Sequence, residues 1–217
     1  MKVQIQQLDP RRLEPFIGRD QVERLELVAG ETRGKLDGRQ IVNVNSTATG
    51  GGIAEMLQTL VGYARGVRID ADWLVIGGDA DFFAITKRIH NGLYGVPGDG
   101  SELGAHERLI YERTISANAP SILREIRPGD IAIVHDPQPA GLIPWLLERD
   151  VLVVWLCHAG LDGTNGSSER AWEFVRPYVE DAHASVFSRL GFAPEWVEDD
   201  RLHVIPPSID PLAPQER

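Results

Sequence analysis

The chain has 217 residues, 42% hydrophobic and 25% charged, enough for one substantial core. Its formal net charge of −10 excludes a broad nucleic-acid surface, which needs clustered cations, and no apolar run approaches a membrane span. Cys157 is the only cysteine, which excludes an intramolecular disulfide and fits a reducing cytosol, and Met1-Lys2-Val3-Gln4 carries no apolar signal core, so a cytoplasmic protein is expected.

Residues 3–8 alternate apolar and polar and predict a short edge strand, broken by Asp9-Pro10 and Pro15. From Asp20 to about Lys35, Val22, Leu25, Val28 and Ala29 recur at helical spacing, with Asp20 as N-cap and Gly34 and Gly38 punctuating the end. Ile41 to Asn45 predicts the first core strand. A polar loop and Gly50-Gly51-Gly52 follow, then a helix over 53–65 that buries Ile53, Met56, Leu57, Leu60 and Val61. Trp73 to Ile76 predicts a second strand, bounded by Gly77-Gly78. A helix from about 81 to 91 carries Phe82, Phe83, Ile85 and Ile89, and residues 92–100 form an irregular loop.

A longer helical region runs from Glu102 to Arg127, bent before Pro120, and ends at the turn Pro128-Gly129-Asp130. Ile131 to Val134 is a continuous apolar run, the pattern of a strand buried on both faces of a parallel sheet. Leu142 to Arg149 predicts a short helix and Val151 to Leu156 a buried strand. Ser167 to Asp181 is helical, with Trp172, Val175 and Val179 as a core stripe. Ala184–Phe187 and Leu202–Ile205 are the last strands, before Pro206-Pro207. Strands alternating with helices across short turns predict a right-handed, doubly wound, mostly parallel α/β sheet.

Such sheets bind ligands at the carboxyl ends of their strands, where the strand order reverses. Three unusual loops fall at such ends: 46–52, 135–140 and 158–166. In the first, Gly51 and Gly52 open a helix, offering bare N–H groups and a positive dipole end to a phosphate or a nearby sugar. Glu55, in the first turn, is placed to face a sugar hydroxyl. The loop matches neither the dinucleotide fingerprint nor the P-loop, which disfavours a nicotinamide oxidoreductase. In the second, His135-Asp136-Pro137-Gln138-Pro139 fixes its backbone with two prolines while His135, Asp136 and Gln138 offer hydrogen bonds of both polarities, suited to vicinal hydroxyls. In the third, His158 emerges at a strand end between the other two loops, while Cys157 reads as a small buried hydrophobe. Asp70-x-Asp72 and Asp79-x-Asp81 are weak as metal pairs, His183 and His203 have no partner at ligand spacing, and there is no Gly-x-Ser-x-Gly elbow. No metal and no cofactor are expected.

Four segments taken together resemble a known family: Asn45-Ser46-Thr47 leading to Gly50-Gly51-Gly52-Ile53-Ala54-Glu55; His135-Asp136-Pro137-Gln138-Pro139; Trp172-Glu173-Phe174-Val175-Arg176-Pro177; and Val204-Ile205-Pro206-Pro207-Ser208-Ile209-Asp210-Pro211. The chain resembles the group formed by trehalose synthase (glycosyltransferring) and retaining trehalose phosphorylase, over residues 37–214. These are retaining glycosyltransferases built from two Rossmann-like domains, the GT-B type.

The resemblance implies transfer of glucose to free glucose from nucleotide-glucose, or from glucose 1-phosphate as in the phosphorylases. It implies a Rossmann-like acceptor-side domain over 37–207, an N-terminal extension over 1–36 with a strand and a helix, and an interdomain linker beginning at 208–217. Gly51 and Gly52 would approach the donor, Asp136 and Gln138 the acceptor hydroxyls, and His158 would stabilise positive charge at the anomeric carbon, leaving positioning and electrostatics as the catalytic task. Around His158 the family pattern has an Arg before and an Ile-Asp after; this chain has Leu156-Cys157-His158-Ala159-Gly160, with the carboxylate moved to Asp162. The expectation is the N-terminal half of such an enzyme, inactive without the nucleotide-binding half. A homodimer is allowed, and a non-catalytic sugar-binding or assembly module is the rival from another class.

Overall fold

The computed structural model describes residues 1–208 and 210–212. Six strands, β1 (Ile41–Asn45), β2 (Ala71–Val75), β3 (Ile131–His135), β4 (Leu152–Cys157), β5 (Ala184–Phe187) and β6 (Leu202–Val204), form one sheet in the order β2-β1-β3-β4-β5-β6. Every ladder is parallel. The helices are α1 (Glu14–Ile17), α2 (Arg19–Leu36), α3 (Gly52–Gly66), α4 (Ala80–Leu93), α5 (Ala105–Leu123), α6 (Ile143–Leu147) and α7 (Gly166–Val179). This is the doubly wound α/β fold the sequence predicts, with the strand order reversing between β1 and β3.

Right-handed crossovers decide which helices lie where. Only the β1-to-β2 crossover runs toward the β2 edge; all later ones run the other way. Hence α3 packs on one face, its Ala54, Leu57 and Val61 against Ala71, Trp73 and Val75. Helices α4 to α7 gather on the opposite face, where Phe82, Tyr111, Leu142, Trp155, Phe174 and Phe187 are buried in the main core. Each such side chain contributes on the order of 1.5–3 kcal/mol by leaving water. Tyr111 Oη also donates to the Pro137 carbonyl and accepts the Gly141 N–H, both at 2.8 Å, which latches the turn after β3 onto α5.

This one-sided arrangement corrects the expectation that Ile131–Val134 is buried on both faces. In β3 and β4 burial alternates: Ala132, Val134, Val153 and Trp155 are buried under the helices, while Ile131, Ile133, Leu152, Val154 and Leu156 on the other face are half-buried. The α3 roof does not extend that far.

Residues 3–8 do not form a strand. One antiparallel bridge joins Lys2 to Leu74 at the sheet edge, and Lys2 pairs with the buried Asp72. The chain then leaves the sheet for α3, where the Leu8 N–H reaches the Gly62 carbonyl at 2.9 Å. Gly62 and Gly66, one turn apart, permit that approach; a Cβ on Gly66 would lie 1.8 Å from the Leu8 carbonyl oxygen.

In α2 the N-cap is Gly18, not Asp20, which sits in the first turn. Of the expected stripe only Val22 and Ala29 are buried, with Leu25 and Val28 exposed, because α2 lies outside both layers and is tied on by contacts such as Arg33 to the Val67 carbonyl. In α3, Leu60 is exposed and Ile53 and Met56 are half-buried. Helix α5 starts at Ala105, the Glu107 carboxylate accepting the Gly104 N–H at 3.0 Å, and ends at Leu123.

After β6 the chain turns back, and Tyr63 of α3 donates to the Asp210 carboxylate at 3.2 Å. Within the expected linker 208–217, Ile209 and residues 213–217 lie outside the described residues. No described helix is long and apolar enough to cross a membrane.

Candidate functional site

A cleft of about 810 Å³ opens at the carboxyl ends of β1, β3 and β4, where the strand order reverses. It is of the size that holds a small ligand. Gly51, Gly52, His135, Asp136, Gln138 and His158 all line it. The three loops singled out from the sequence therefore meet at one place.

The glycine loop is held from below. Trp73 Nε1 donates to Asn45 Oδ1 at 2.7 Å, which turns Asn45 Nδ2 onto the Thr47 carbonyl at 2.8 Å. Gly50 and Gly51 then take φ of 71° and 111°, values that side chains with a Cβ resist. Gly51 caps α3 with no side-chain hydrogen bond, so the first-turn N–H groups stay open to an anion. A Cβ built on Gly50, Gly51 or Gly52 meets nothing within 4 Å. The loop is thus open to the cleft rather than packed on the sheet.

His135 and Asp136 end β3 with opposite tasks. His135 is buried and its Nε2 lies 3.0 Å from Asn43 Oδ1. Asp136 turns the chain with φ of 58°, a left-handed conformation that Asp tolerates better than most residues. Its buried carboxylate accepts the His158 N–H at 2.7 Å and is further held by the Ala159 N–H. Trp155 Nε1 donates to its carbonyl at 3.2 Å. Burial raises the Asp136 carboxyl to about 6 despite those two N–H groups. Asp136 is therefore the fastening between the β3 and β4 exits.

His135 and His158 stack with ring planes 4° apart and centroids 5.9 Å apart. Burial lowers both imidazoles, His135 to about 3 with His158 as the second cause. Both are neutral near pH 7. His135 Nδ1 and His158 Nε2 are buried without a hydrogen-bond partner, in a fold where such atoms are normally paired. Both residues line the cleft.

Two expected site residues stand apart. Glu55 is exposed on the first turn of α3, outside the lining formed by Ile53, Ala54 and Met56. Asp162 pairs with Arg189 at 3.0 Å beyond the cleft wall. Arg189 itself lines the cleft, the first residue after Ser188 at the β5 exit, and the strand-end rule applied to β5 finds it. His90 and Tyr94, at the end of α4, also line the cleft; only the tertiary path of α4 brings them there. Asn43 lies beneath His135, midway along β1. Asp72 is held by Arg65 and Lys2 and Asp79 caps α4. Among the described residues no group of three or more His, Cys, Asp or Glu is arranged to hold a metal ion.

Residues 43–194 match the family model described as "Trehalose synthase, N-terminal domain". The chain is similar to the trehalose synthase of Rubrobacter xylanophilus, 35% identical over 187 residues, covering 85% of this chain and 44% of that protein. It is 35% identical over 206 residues to the trehalose synthase of Pyrococcus horikoshii, covering 94% of this chain and 47% of that one. A trehalose phosphorylase of Grifola frondosa is 28% identical over 155 residues, 66% of this chain and 21% of that protein. The chain spans about half the length of the trehalose synthases it matches. Among solved structures, the N-terminal domain of a Candida albicans trehalose-6-phosphate phosphatase aligns with a TM-score of 0.54 and 12% identity, over 79% of this chain and 49% of that one; that likeness concerns the fold alone.

Proposed function

The chain belongs to the trehalose synthase N-terminal domain family, and from that membership we propose that it forms the acceptor-side half of a retaining glucosyltransferase that joins activated glucose to glucose. The observation that carries the proposal is the meeting of Gly51 and Gly52, Gln138 and His158 in one cleft at the switch point. The trehalose synthases it resembles support the sugar chemistry.

In this reading residues 37–207 are the Rossmann-like domain, 1–36 an appendage to it, and 208–217 the start of a linker to a nucleotide-binding half. The open N–H groups at the start of α3 face the donor phosphate, which nucleotide-glucose brings. Gln138 takes acceptor hydroxyls, and the Asp136 carboxylate holds the His158 loop at the reacting sugar. His158, kept neutral by burial, contributes a lone pair or its backbone carbonyl beside developing positive charge without repelling it. The leaving phosphate takes the acceptor's proton on the same face, so the configuration is retained with no enzymic nucleophile. Rate acceleration then rests on alignment and fixed dipoles.

The test joins this chain to the second half of the Rubrobacter xylanophilus enzyme and supplies glucose with nucleotide-glucose or with glucose 1-phosphate. The proposal expects trehalose from nucleotide-glucose, none from the 217-residue chain alone, and loss of product with His158→Ala. A folded chimera that uses only glucose 1-phosphate, or makes no disaccharide from either donor, overturns it.

A further inference from the structure

We propose that His135 is a fixed hydrogen-bond acceptor for one sugar hydroxyl, its bare ring nitrogen set by Asn43. The inference rests on the sugar-transfer reading above and assigns one contact within it.

The chain of constraint starts at Asn43. Its Nδ2 donates to the Asp72 carbonyl at 3.3 Å, which leaves Oδ1 facing His135 Nε2 at 3.0 Å. An amide oxygen can only accept, so Nε2 carries the hydrogen. A neutral imidazole has one N–H, so Nδ1 of His135 is a lone pair with no proton to give. That atom is buried and unpartnered, and the other such side-chain atom among the described residues, His158 Nε2, belongs to the ring stacked beside it. Buried polar atoms are rarely left unpaired, and two together in one cleft mark where a ligand group completes the set.

An acceptor selects its partner by sign. His135 Nδ1 rejects phosphate and carbonyl oxygens, which have no hydrogen to donate, and takes an O–H. The cleft is therefore divided: N–H donors at Gly52 and its neighbours for the anion, and a bare imidazole nitrogen for a hydroxyl. Asn43, which reaches no ligand, is a positioning residue that fixes the tautomer.

The experiment uses long-range nitrogen–proton spectra of the chain labelled in histidine. In the free chain His135 shows hydrogen on Nε2 and a bare Nδ1, and adding D-glucose shifts the Nδ1 resonance. His135→Gln keeps a donor toward Asn43 and places no acceptor where Nδ1 stood; it weakens glucose binding on the order of tenfold. Hydrogen found on Nδ1, or glucose bound equally by H135Q, overturns the inference and leaves the sugar reading standing. No glucose binding by the wild-type chain overturns both. Should H135Q not fold, monodeoxyglucoses on the wild type decide: one of them binds without shifting Nδ1, and a shift from every one of them overturns the assignment.

Discussion

The Asp136 carboxylate accepts the backbone N–H of His158 at 2.7 Å, tying the exit of β3 to the exit of β4. The same residue bears φ of 58° and is sealed from solvent. Asp136→Ala removes the tie and keeps the strained backbone, so it lowers stability by about 2 kcal/mol and frees the His158 loop. Asp136→Asn keeps one acceptor and suits the left-handed turn, and costs about 1 kcal/mol or less. Urea unfolding of both variants checks the order; equal losses would show that the tie contributes nothing.

Acid stability follows from the same pair. His135 is neutral in the fold down to about 3, while in the unfolded chain it takes a proton below about 6.5. Unfolding therefore takes up a proton across that window, and stability rises with pH. Asp136 acts in the opposite sense between 3.8 and about 6, where the fold keeps a proton that the unfolded chain gives up. The histidine window is wider and His158 shifts the same way, so the net slope is upward. Melting temperatures measured across that range should climb more steeply in Asp136→Asn and more gently in H135Q.

Neighbouring glycines should separate folding from binding. Gly51, at φ of 111°, loses about 1–2 kcal/mol when replaced by Ala. Gly52 has ordinary helical geometry and open space around its Cβ position, so Gly52→Ala leaves stability unchanged or raises it by about 0.5 kcal/mol. Its methyl nonetheless points into the ligand's room and weakens nucleotide-glucose or glucose binding. Calorimetry with a parallel thermal melt distinguishes the two variants; a Gly52→Ala chain that binds as wild type would place the ligand elsewhere.

The loop carrying His158 is pressed against the β5 exit. A Cβ on Gly160 would sit 2.2 Å from the Phe192 ring, so Gly160→Ala costs roughly 1–3 kcal/mol. Phe192→Ala in the same chain should recover part of that loss, a coupling read by a double-mutant cycle. The exposed Asp162–Arg189 pair beside it is a weaker tie, and Asp162→Ala changes stability by less than about 1 kcal/mol.

Most strand positions were legible because short, largely apolar runs between polar segments leave few alternatives: Ala184–Phe187 and Ile41–Asn45 fall where the pattern puts them. The three cleft loops were legible for the same reason, since each follows such a run. Coverage of each face was not, because it depends on the direction of every crossover, which no local pattern encodes. Asn43 was missed because its partner His135 lies 92 residues away. Glu55 shows the other limit: one residue of helical phase separates the exposed carboxylate from Met56 on the cleft wall.

The half-roofed face of β3 and β4 leaves a mark that sequence variation should record. Along these central strands every second position is free to drift: Thr or a different aliphatic at Ile133 or Val154 touches little, whereas at Val134 or Val153 Thr buries an unpaired hydroxyl and a bulkier aliphatic overpacks the main core. A deep mutational scan of the two strands would show a striped tolerance profile with a period of two, where an enclosed parallel sheet would show an unbroken band of intolerance.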